Sequence, residues 1–296
     1  MILSMDLLKS KQNVVILGAS GWIGKNFVDC LSYNDNINLC LYSSNKGKNI
    51  LFKDGRNYKT NPLNQIIDLE VDDVDVLIDL AFPTQDKIEK LGEKKYLETI
   101  KSLSLTKAQF LSKWTPKNIF VTSSGAIYWN KNKKNLYSEG KILQEKFYQK
   151  YSENNCSKVL IVRIFGLLAK HFTFDNNYAF TSFVKQAREG KVIKVTSTKN
   201  VLRSYITFSD LFLFYNEWLK SSNTTFQALD GCSDEIEIKE LAKIVADFYN
   251  VNVQSNKKND SQDKYIGDLN VFQEFLKQKN LESKINSDKI INILRE

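Results

Sequence analysis

The chain has 296 residues, 42% of them apolar, and its 42 lysines and arginines exceed its 34 acidic residues to give a formal net charge of +8. This length and composition suit a globular protein with an ample core, and they exclude a disordered chain, a collagen and a small disulfide scaffold. Four cysteines lie far apart and His171 is the only histidine, so we expect no metal site.

No apolar run approaches the roughly 20 residues that a membrane-spanning helix needs. The opening MILSMDLLKS contains Asp6 and lacks a basic segment and a cleavage site, so we expect no signal peptide and a cytoplasmic protein. The lysines are dispersed and not interleaved with aromatic residues, which predicts a solvated surface and no nucleic-acid partner. Examples are Lys131, Lys133, Lys134, Lys257 and Lys258.

Short β-branched runs alternate with helical stretches through the first half of the chain. Because these runs have few polar interruptions, they predict strands buried on both faces of a doubly wound parallel sheet, an α/β fold. The predicted strands are 13–17, 37–42, 74–80, 118–123 and 158–165. The intervening helices include 22–32 and 135–153, the second with a predicted buried stripe of Ile142, Phe147 and Tyr151.

A glycine-rich turn directly follows the first strand and opens the first helix. Its sequence, Gly18-Ala19-Ser20-Gly21-Trp22-Ile23-Gly24, has small residues that let backbone N–H groups approach a pyrophosphate at the positive end of the helix. We therefore predict dinucleotide binding by Gly18, Ser20, Gly21, Trp22, Ile23 and Gly24.

The strand–helix rhythm loosens beyond about Gly166, where 237–249 and 270–280 are typical of short amphipathic helices. We predict a Rossmann-like dinucleotide-binding domain over 11–165, with 201–220 returning to it. A smaller C-terminal substrate-binding lobe is expected over most of 166–296.

The G-x-x-G-x-x-G spacing resembles the extended short-chain dehydrogenase/reductase (NAD-dependent epimerase/dehydratase) family, which modifies nucleotide sugars. Residues 75–82, DVLIDLAF, resemble the family's D-x-x-x-H-L-A-A, although Asp79 and Phe82 depart from it. The resemblance implies that Leu80, Ala81 and Phe82 lie beside the nicotinamide ribose of the cofactor.

Residues 119–128, IFVTSSGAIY, resemble the family's strand ending in S-S-x-x-V-Y, which implies that Ser124 is catalytic and that Gly125 contacts substrate. Tyr137 and Lys141 form a Y-x-x-x-K on a predicted helix, where side chains at i and i+4 share one face. An ammonium there favours the tyrosine anion. The resemblance makes Ser124, Tyr137 and Lys141 the catalytic residues, with Tyr137 and Lys141 also contacting the cofactor.

Two further features of the sequence bear on this predicted active site. A second Y-x-x-x-K, at Tyr42–Lys46, ends the second strand and is therefore not the catalytic one. The loop between Ser124 and Tyr137 is shorter than is usual in the family, which implies a locally trimmed substrate pocket.

Residues 203–211, RSYITFSDL, resemble the family's R-D-Y-I-H-V-x-D-L, which implies that Arg203 binds the substrate's diphosphate through its forked guanidinium. Gly166 stands where the family has asparagine, so a substrate contact is missing. We expect His171 to be an ordinary loop histidine.

The loop after the second strand has no acidic residue that would bond the ribose hydroxyls of NAD. Ser43, Ser44 and Lys46 offer hydroxyl donors and a cation that suit a 2′-phosphate, so we predict NADP as the cofactor, with NAD possible.

Gly125 and Ala126 replace the Asp-Glu pair that a 4,6-dehydratase of this family would use, which leaves hydride and proton transfer at one carbon. The predicted function is NADPH-dependent reduction of a nucleotide-linked 4-keto-6-deoxysugar to a deoxyhexose for surface polysaccharide synthesis. One alternative is a nucleotide-sugar 4-epimerase with tightly bound NAD. Another is a non-catalytic module that senses the cofactor or binds RNA. The resemblance also implies a homodimer.

Overall fold

The computed structural model describes residues 11–44, 46–129, 135–172, 174, 178–221, 224–256 and 261–295. The opening decapeptide and Lys131, Lys133, Lys134, Lys257 and Lys258, on which sequence predictions were made, lie outside the described residues. The chain divides into two compact units. The first unit comprises Met1–Val162 and Leu219–Ala228, and the second comprises Arg163–Trp218 and Leu229–Glu296, each where described.

Both units contain strands and helices. The strands are β1 Gln12–Leu17, β2 Ile37–Ser43, β3 Asn49–Leu51, β4 Asn57–Lys59, β5 Asn61–Pro62, β6 Val76–Asp79, β7 Asn118–Ser124, β8 Lys158–Ile164, β9 Leu167–Leu168, β10 Ile193–Val195, β11 Asn200–Thr207, β12 Phe226–Gly231, β13 Asp234–Glu237, β14 Val253–Ser255 and β15 Gln262–Tyr265. The helices are α1 Trp22–Leu31, α2 Asp86–Leu91, α3 Glu93–Lys113, α4 Leu136–Asn154, α5 Ala179–Arg188, α6 Phe208–Lys220, α7 Ile238–Tyr249, α8 Asn270–Gln278 and α9 Ser287–Leu294. Short 3-10 helices cover Leu63–Asp68 and Gly125–Trp129.

The sheet of the first unit has, among the described residues, seven strands in the order β12-β8-β7-β6-β1-β2-β5. Strand β1 pairs in parallel with both β2 and β6, so the direction of winding reverses between β1 and β6. In such sheets the crevice at the carboxyl ends of the strands, at this switch point, is where ligands bind. The predicted doubly wound α/β fold is confirmed, with all five predicted strands in this sheet.

One face of this sheet carries the core cluster that includes Val15, Leu17, Leu77, Ile119, Val121, Val159 and Ile161. The alternate strand residues, among them Val14, Ile16, Ile78 and Phe120, are also buried, so both faces are covered. Continuous β-branched and leucine runs are what such doubly covered strands require, because neither face meets water.

Helix α4 occupies the predicted range, but its buried face differs from the predicted one. Ile142, Phe147 and Tyr151 are only half-buried. The buried face is largely polar and includes Ser138, Lys141, Gln144, Tyr148 and Ser152. An apolar stripe was therefore the wrong criterion for this helix, because several of its inner side chains, among them Lys141, Gln144 and Tyr148, are buried through hydrogen bonds.

The second unit has a smaller sheet in which β11 pairs with β13, β15 and β9. Its apolar core is formed largely by side chains of α5, α7 and α9. Because β11 belongs to this sheet, the segment returning to the first unit is Leu219–Ala228 rather than the predicted 201–220. Within the described residues, no helix has both the length and the apolar character needed to cross a membrane.

Candidate active site

The glycine turn closes tightly over the carboxyl end of β1. Gly18 has φ +81°, a conformation that side chains rarely adopt, and the Gly21 amide donates to the Gly18 carbonyl over 2.9 Å. A Cβ on Gly18 would lie 3.0 Å from the Leu80 carbonyl carbon, and one on Gly24 would overlap the Gly18 carbonyl oxygen. Glycine at position 18 therefore lets the turn pack directly on the segment that follows β6, and glycine at position 24 lets helix α1 pack on the turn.

The start of α1 fits a dinucleotide phosphate. Gly21 is the N-cap and supplies no side chain to cap the helix, and the first turn carries no acidic residue. The first amides of a helix have no acceptor within the helix, so they are available to an anion. Ser20, Trp22 and Ile23 lie in this turn, as the sequence predicts.

Of the three residues predicted to contact a 2′-phosphate in the loop after β2, one is buried and two are exposed. The Ser43 side chain is buried, and its hydroxyl lies 2.6 Å from the Thr60 hydroxyl. Thr60 Oγ1 also accepts from the Lys48 amide at 2.7 Å, which closes the loop on itself. Ser43 therefore holds the loop together, while Ser44 and Lys46 are exposed and available to a ligand.

The predicted serine and the Y-x-x-x-K pair lie on neighbouring elements. Ser124 ends β7, and its hydroxyl accepts from the Ala126 amide at 3.2 Å. The Lys141 amino group, from α4, donates to the Thr122 carbonyl of β7 at 2.8 Å. This hydrogen bond joins the helix that carries Tyr137 and Lys141 to the strand that ends in Ser124.

Asn135 fixes the first turn of α4, where Tyr137 lies. Its side-chain oxygen accepts from the Tyr137 amide at 3.0 Å and from the Ser138 amide at 3.4 Å. The Tyr137 side chain is half-buried, so it is accessible from one side.

Phe82 lies against both members of the Y-x-x-x-K pair. The centre of its ring is 4.2 Å from the Lys141 nitrogen and 5.9 Å from the Tyr137 ring, which it meets edge to face. A Cβ on Gly140 would lie 2.8 Å from the tip of this ring. The phenylalanine that departs from the family's pattern is thus accommodated by a glycine on α4, and it contacts Tyr137 and Lys141 directly.

Lys141 is buried, and this changes its charge behaviour. Burial, and to a smaller extent the positive charge of Lys107, lower the pKa of Lys141 to about 7, against the opposite influence of Asp79 and Glu145. A desolvated ammonium is costly, so the group exchanges its proton near neutrality. Lys141 is therefore an ionisable group at physiological pH and not a permanent positive charge.

Three side chains behind Lys141 were not predicted as functional. Asp79, which stands in place of the family's histidine, is fully buried and pairs with the buried Lys107 of α3 at 2.7 Å. Gln144 bridges this pair to Lys141. The only sequence signal was an acidic residue inside an apolar strand, because Lys107 is one of many lysines on a mostly polar helix.

In the second unit, the Arg203 guanidinium is engaged within its own sheet. It forms hydrogen bonds to both carboxylate oxygens of Asp263, at 3.2 and 3.1 Å, and to the Asp263 carbonyl at 2.9 Å. A diphosphate at Arg203 would have to compete with the Asp263 carboxylate. The Asp263 side chain is 47% exposed, so solvent can replace Arg203 as its partner.

Gly166 has a structural explanation. A Cβ there would lie 2.6 Å from two ring atoms of Tyr205 and 2.8 Å from the Ser204 carbonyl. The asparagine of the family's pattern has no room beside this ring. His171 has φ +53° and lies between β9 and α5, in a loop as expected.

Several solved structures share this fold at low sequence identity. RMD from Pseudomonas aeruginosa, complexed with NADPH, is 18% identical with a TM-score of 0.70, over 96% of this chain and 97% of that one. UDP-glucose 4-epimerase from Thermus thermophilus, complexed with NAD, is 14% identical with a TM-score of 0.72, over 96% and 99%. UDP-N-acetylglucosamine 4-epimerase from Methanobrevibacter ruminantium is 14% identical with a TM-score of 0.68, over 97% and 99%.

No curated protein sequence matches the chain significantly. Residues 14–223, well over half of the chain, match the family described as the NAD dependent epimerase/dehydratase family. This confirms the resemblance that the motifs carried, together with the prediction of an oxidoreductase-family enzyme. The protein belongs to the NAD-dependent epimerase/dehydratase family.

Proposed function

We propose that the protein uses NADPH to reduce a nucleotide-linked 4-keto-6-deoxysugar to a deoxyhexose for surface polysaccharide synthesis. The observation that carries the proposal is the hydrogen bond from Lys141 to Thr122, which joins the Tyr137 helix to the Ser124 strand. Serine, tyrosine and lysine on these elements suffice to move one proton at a carbonyl oxygen. Gly125 and Ala126 provide no second acid or base for dehydration.

The proposed reaction assigns one task to each side chain. A bound reduced nicotinamide would supply the hydride to the keto carbon. Ser124 donates a hydrogen bond that polarises the keto oxygen, and Tyr137 donates the proton to that oxygen. Lys141, when protonated, would donate a hydrogen bond to the nicotinamide ribose and would favour release of the tyrosine proton. The substrate's diphosphate is assigned to Arg203, in exchange for Asp263.

The choice of NADPH rests on the loop after β2. Ser44 and Lys46 are exposed there, and the loop contains no carboxylate to repel a 2′-phosphate. The NADPH complex of RMD shows that this fold can accommodate NADPH. Family membership supports a nicotinamide dinucleotide in either case.

A nucleotide-sugar 4-epimerase is the second candidate. Several structures with the same fold are 4-epimerases, including the NAD complex from Thermus thermophilus and a UDP-glucuronic acid 4-epimerase from Bacillus cereus with NAD. In that reaction the same Tyr137 would remove a proton and later return it, and the nicotinamide would end unchanged.

The homodimer remains part of the proposal. Leu97 and Leu105 on α3 and Leu143 on α4 are 47%, 56% and 64% exposed, although they are apolar. Exposed leucines on two adjacent helices suit burial against a second copy of the same helices.

An absorbance assay separates the two candidates. Purified protein is mixed with NADPH or NADH and a panel of nucleotide-linked 4-keto-6-deoxysugars, and the reduced-nicotinamide band is followed. The reductase predicts a substrate-dependent loss of absorbance with NADPH. Absence of any loss, together with NAD co-purifying on the protein and interconversion of UDP-sugars, would establish the epimerase instead.

A further inference from the structure

A buried ion pair lies directly behind the Y-x-x-x-K pair. The Asp79 carboxylate accepts hydrogen bonds from the Lys107 amino group and the Tyr148 hydroxyl, both at 2.7 Å, and from the Ala81 amide at 3.1 Å. Lys107 also donates to the Ala81 carbonyl at 2.7 Å. Asp79 and Lys107 are almost fully inaccessible to solvent.

Such a pair needs an explanation other than stability. Removing two charges from water costs about as much as their attraction returns, and apolar residues of similar size often serve a core as well or better. Asp79 lies on β6, whose remaining residues are apolar, and it displaces what could have been an apolar contact. We therefore expect the pair to act through the side chains that it contacts.

Gln144 connects the pair to Lys141. Its amide nitrogen donates to Asp79 Oδ2 at 3.2 Å, and its side-chain oxygen accepts from the Lys141 amino group at 3.0 Å. An ionised carboxylate only accepts hydrogen bonds, so Asp79 forces the NH₂ end of Gln144 toward itself. The oxygen end then has one orientation, toward Lys141.

With Gln144 in this orientation, the number of N–H groups on Lys141 decides whether the lysine can also donate to a ligand. The Thr122 carbonyl and the Gln144 oxygen accept two hydrogen bonds from the Lys141 nitrogen. A neutral amine has two N–H groups and an ammonium has three. Only the protonated form therefore has a further N–H for a ligand while both of these bonds are kept.

We propose that Asp79 and Lys107 are positioning residues for Lys141, which orient Gln144 toward its amino group and place one charge of each sign behind it. The proposal rests on the proposed function for its catalytic meaning, because it concerns the same lysine. The two charges act in opposite directions: Lys107 disfavours a second cation nearby, whereas Asp79 favours one.

The charged and titratable groups around Lys141 come from three elements. They are Asp79 from β6, Lys107 from α3, and Tyr137, Glu145 and Tyr148 from α4. The contact from β7 is the neutral Thr122 carbonyl. Within this set, Asp79 and Lys107 are the two buried ions, so exchanging them for neutral side chains should have the largest effect on Lys141.

The test is a direct titration of Lys141, which needs no substrate. Protein is labelled with ¹³C at the lysine Cε atoms, the Lys141 signal is identified by its loss in Lys141→Arg, and its shift is followed against pH. Lys107→Met leaves Asp79 with Lys141 as its nearest cation, so the Lys141 pKa should rise by about one unit or more. Asp79→Asn in the Lys107→Met background should lower it again by a similar amount.

A third variant tests Gln144, which connects Asp79 to Lys141. It also keeps the proposal testable if Lys107→Met does not fold. Gln144→Met carries no charge and leaves Asp79 its other partners, but it removes an acceptor that favours the ammonium. The Lys141 pKa should therefore fall further in Gln144→Met. Lys117→Met is the matched control, because it removes an exposed ion pair with Asp75 at the opposite, amino edge of the same sheet and should leave Lys141 unchanged.

An unchanged Lys141 titration in Gln144→Met, or in Lys107→Met where that variant folds, would overturn the proposal. The Lys141 titration and the sugar-reduction assay can fail independently of each other. If Lys141 responds as described but no sugar is reduced, the positioning pair stands and the assigned reaction fails. If sugars are reduced while Lys141 does not respond, the reverse holds.

Discussion

At the scale of the residue, Lys141 is the side chain whose chemistry the structure changes most. The sequence indicates a lysine one turn after a tyrosine, and it predicts an ammonium there that favours the tyrosine anion. Burial instead brings the pKa of Lys141 to about 7. That difference could not be predicted from the motif, because it depends on burial and on the charges of Lys107 and Asp79, which come from other elements.

The pH dependence of turnover follows from this lysine. The ammonium is present below its pKa of about 7 and is lost as the pH rises through that value. Because only the ammonium has an N–H to spare for the cofactor ribose, kcat/KM with NADPH should fall as the pH rises above about 7, and this parameter reports groups of the free enzyme. Lys117→Met should show the same profile. A profile that is flat from about pH 6 to about pH 9 would contradict this role for Lys141.

At the scale of the element, the range of α4 could be predicted from the sequence, but its buried face could not. Its range follows from the helical stretch that carries Y-x-x-x-K, and the strands β1, β6 and β7 follow from apolar runs that suit two covered faces. Its inner face could not be predicted from apolar spacing, because Lys141, Gln144 and Tyr148 are buried through hydrogen bonds to β6 and β7. Patterns of apolar residues do not detect such a polar interface.

The first turn of α4 also makes a prediction. Asn135 caps the amides of Tyr137 and Ser138, so Asn135→Ala should lower the free energy of unfolding by about 1 kcal/mol and also lower kcat, because the Tyr137 turn frays. The matched control is Asn286→Ala, which removes the corresponding cap from the Lys289 amide of α9. The control should lose similar stability in urea unfolding and keep its kcat. Equal loss of kcat in both variants would show that the cap acts only through stability.

At the scale of the whole molecule, the division of the chain follows from strand pairing. The sequence predicts two units from the loss of strand–helix rhythm near Gly166, close to the observed change at Arg163. The returning segment predicted at 201–220 includes β11, which pairs within the sheet of the second unit. Its true partners, β13 and β15, lie far along the chain and carry no motif.

Stability against pH is the prediction at this scale. The pKa of Lys141 is about 7 in the folded protein and 10.5 ordinarily, so between these values the unfolded chain binds a proton that the folded protein does not. The free energy of unfolding should therefore gain from Lys141 as the pH rises from about 7 to about 10.5, by about 1.4 kcal/mol per pH unit at most. Urea unfolding of Lys141→Met should lack this gain. The same slope in both proteins would show that Lys141 titrates normally when folded.

Turnover by Tyr137→Phe tests the assigned active site most directly, and it is measured as loss of the reduced-nicotinamide band with NADPH and the best substrate of the panel. The predicted result is a loss of turnover of about 100-fold or more with NADPH binding preserved, because the phenol is the proton donor. Tyr42→Phe is the control, since Tyr42 begins the other Y-x-x-x-K and its side chain is buried in the core of the first unit. Full turnover by Tyr137→Phe would contradict the assignment of the active site.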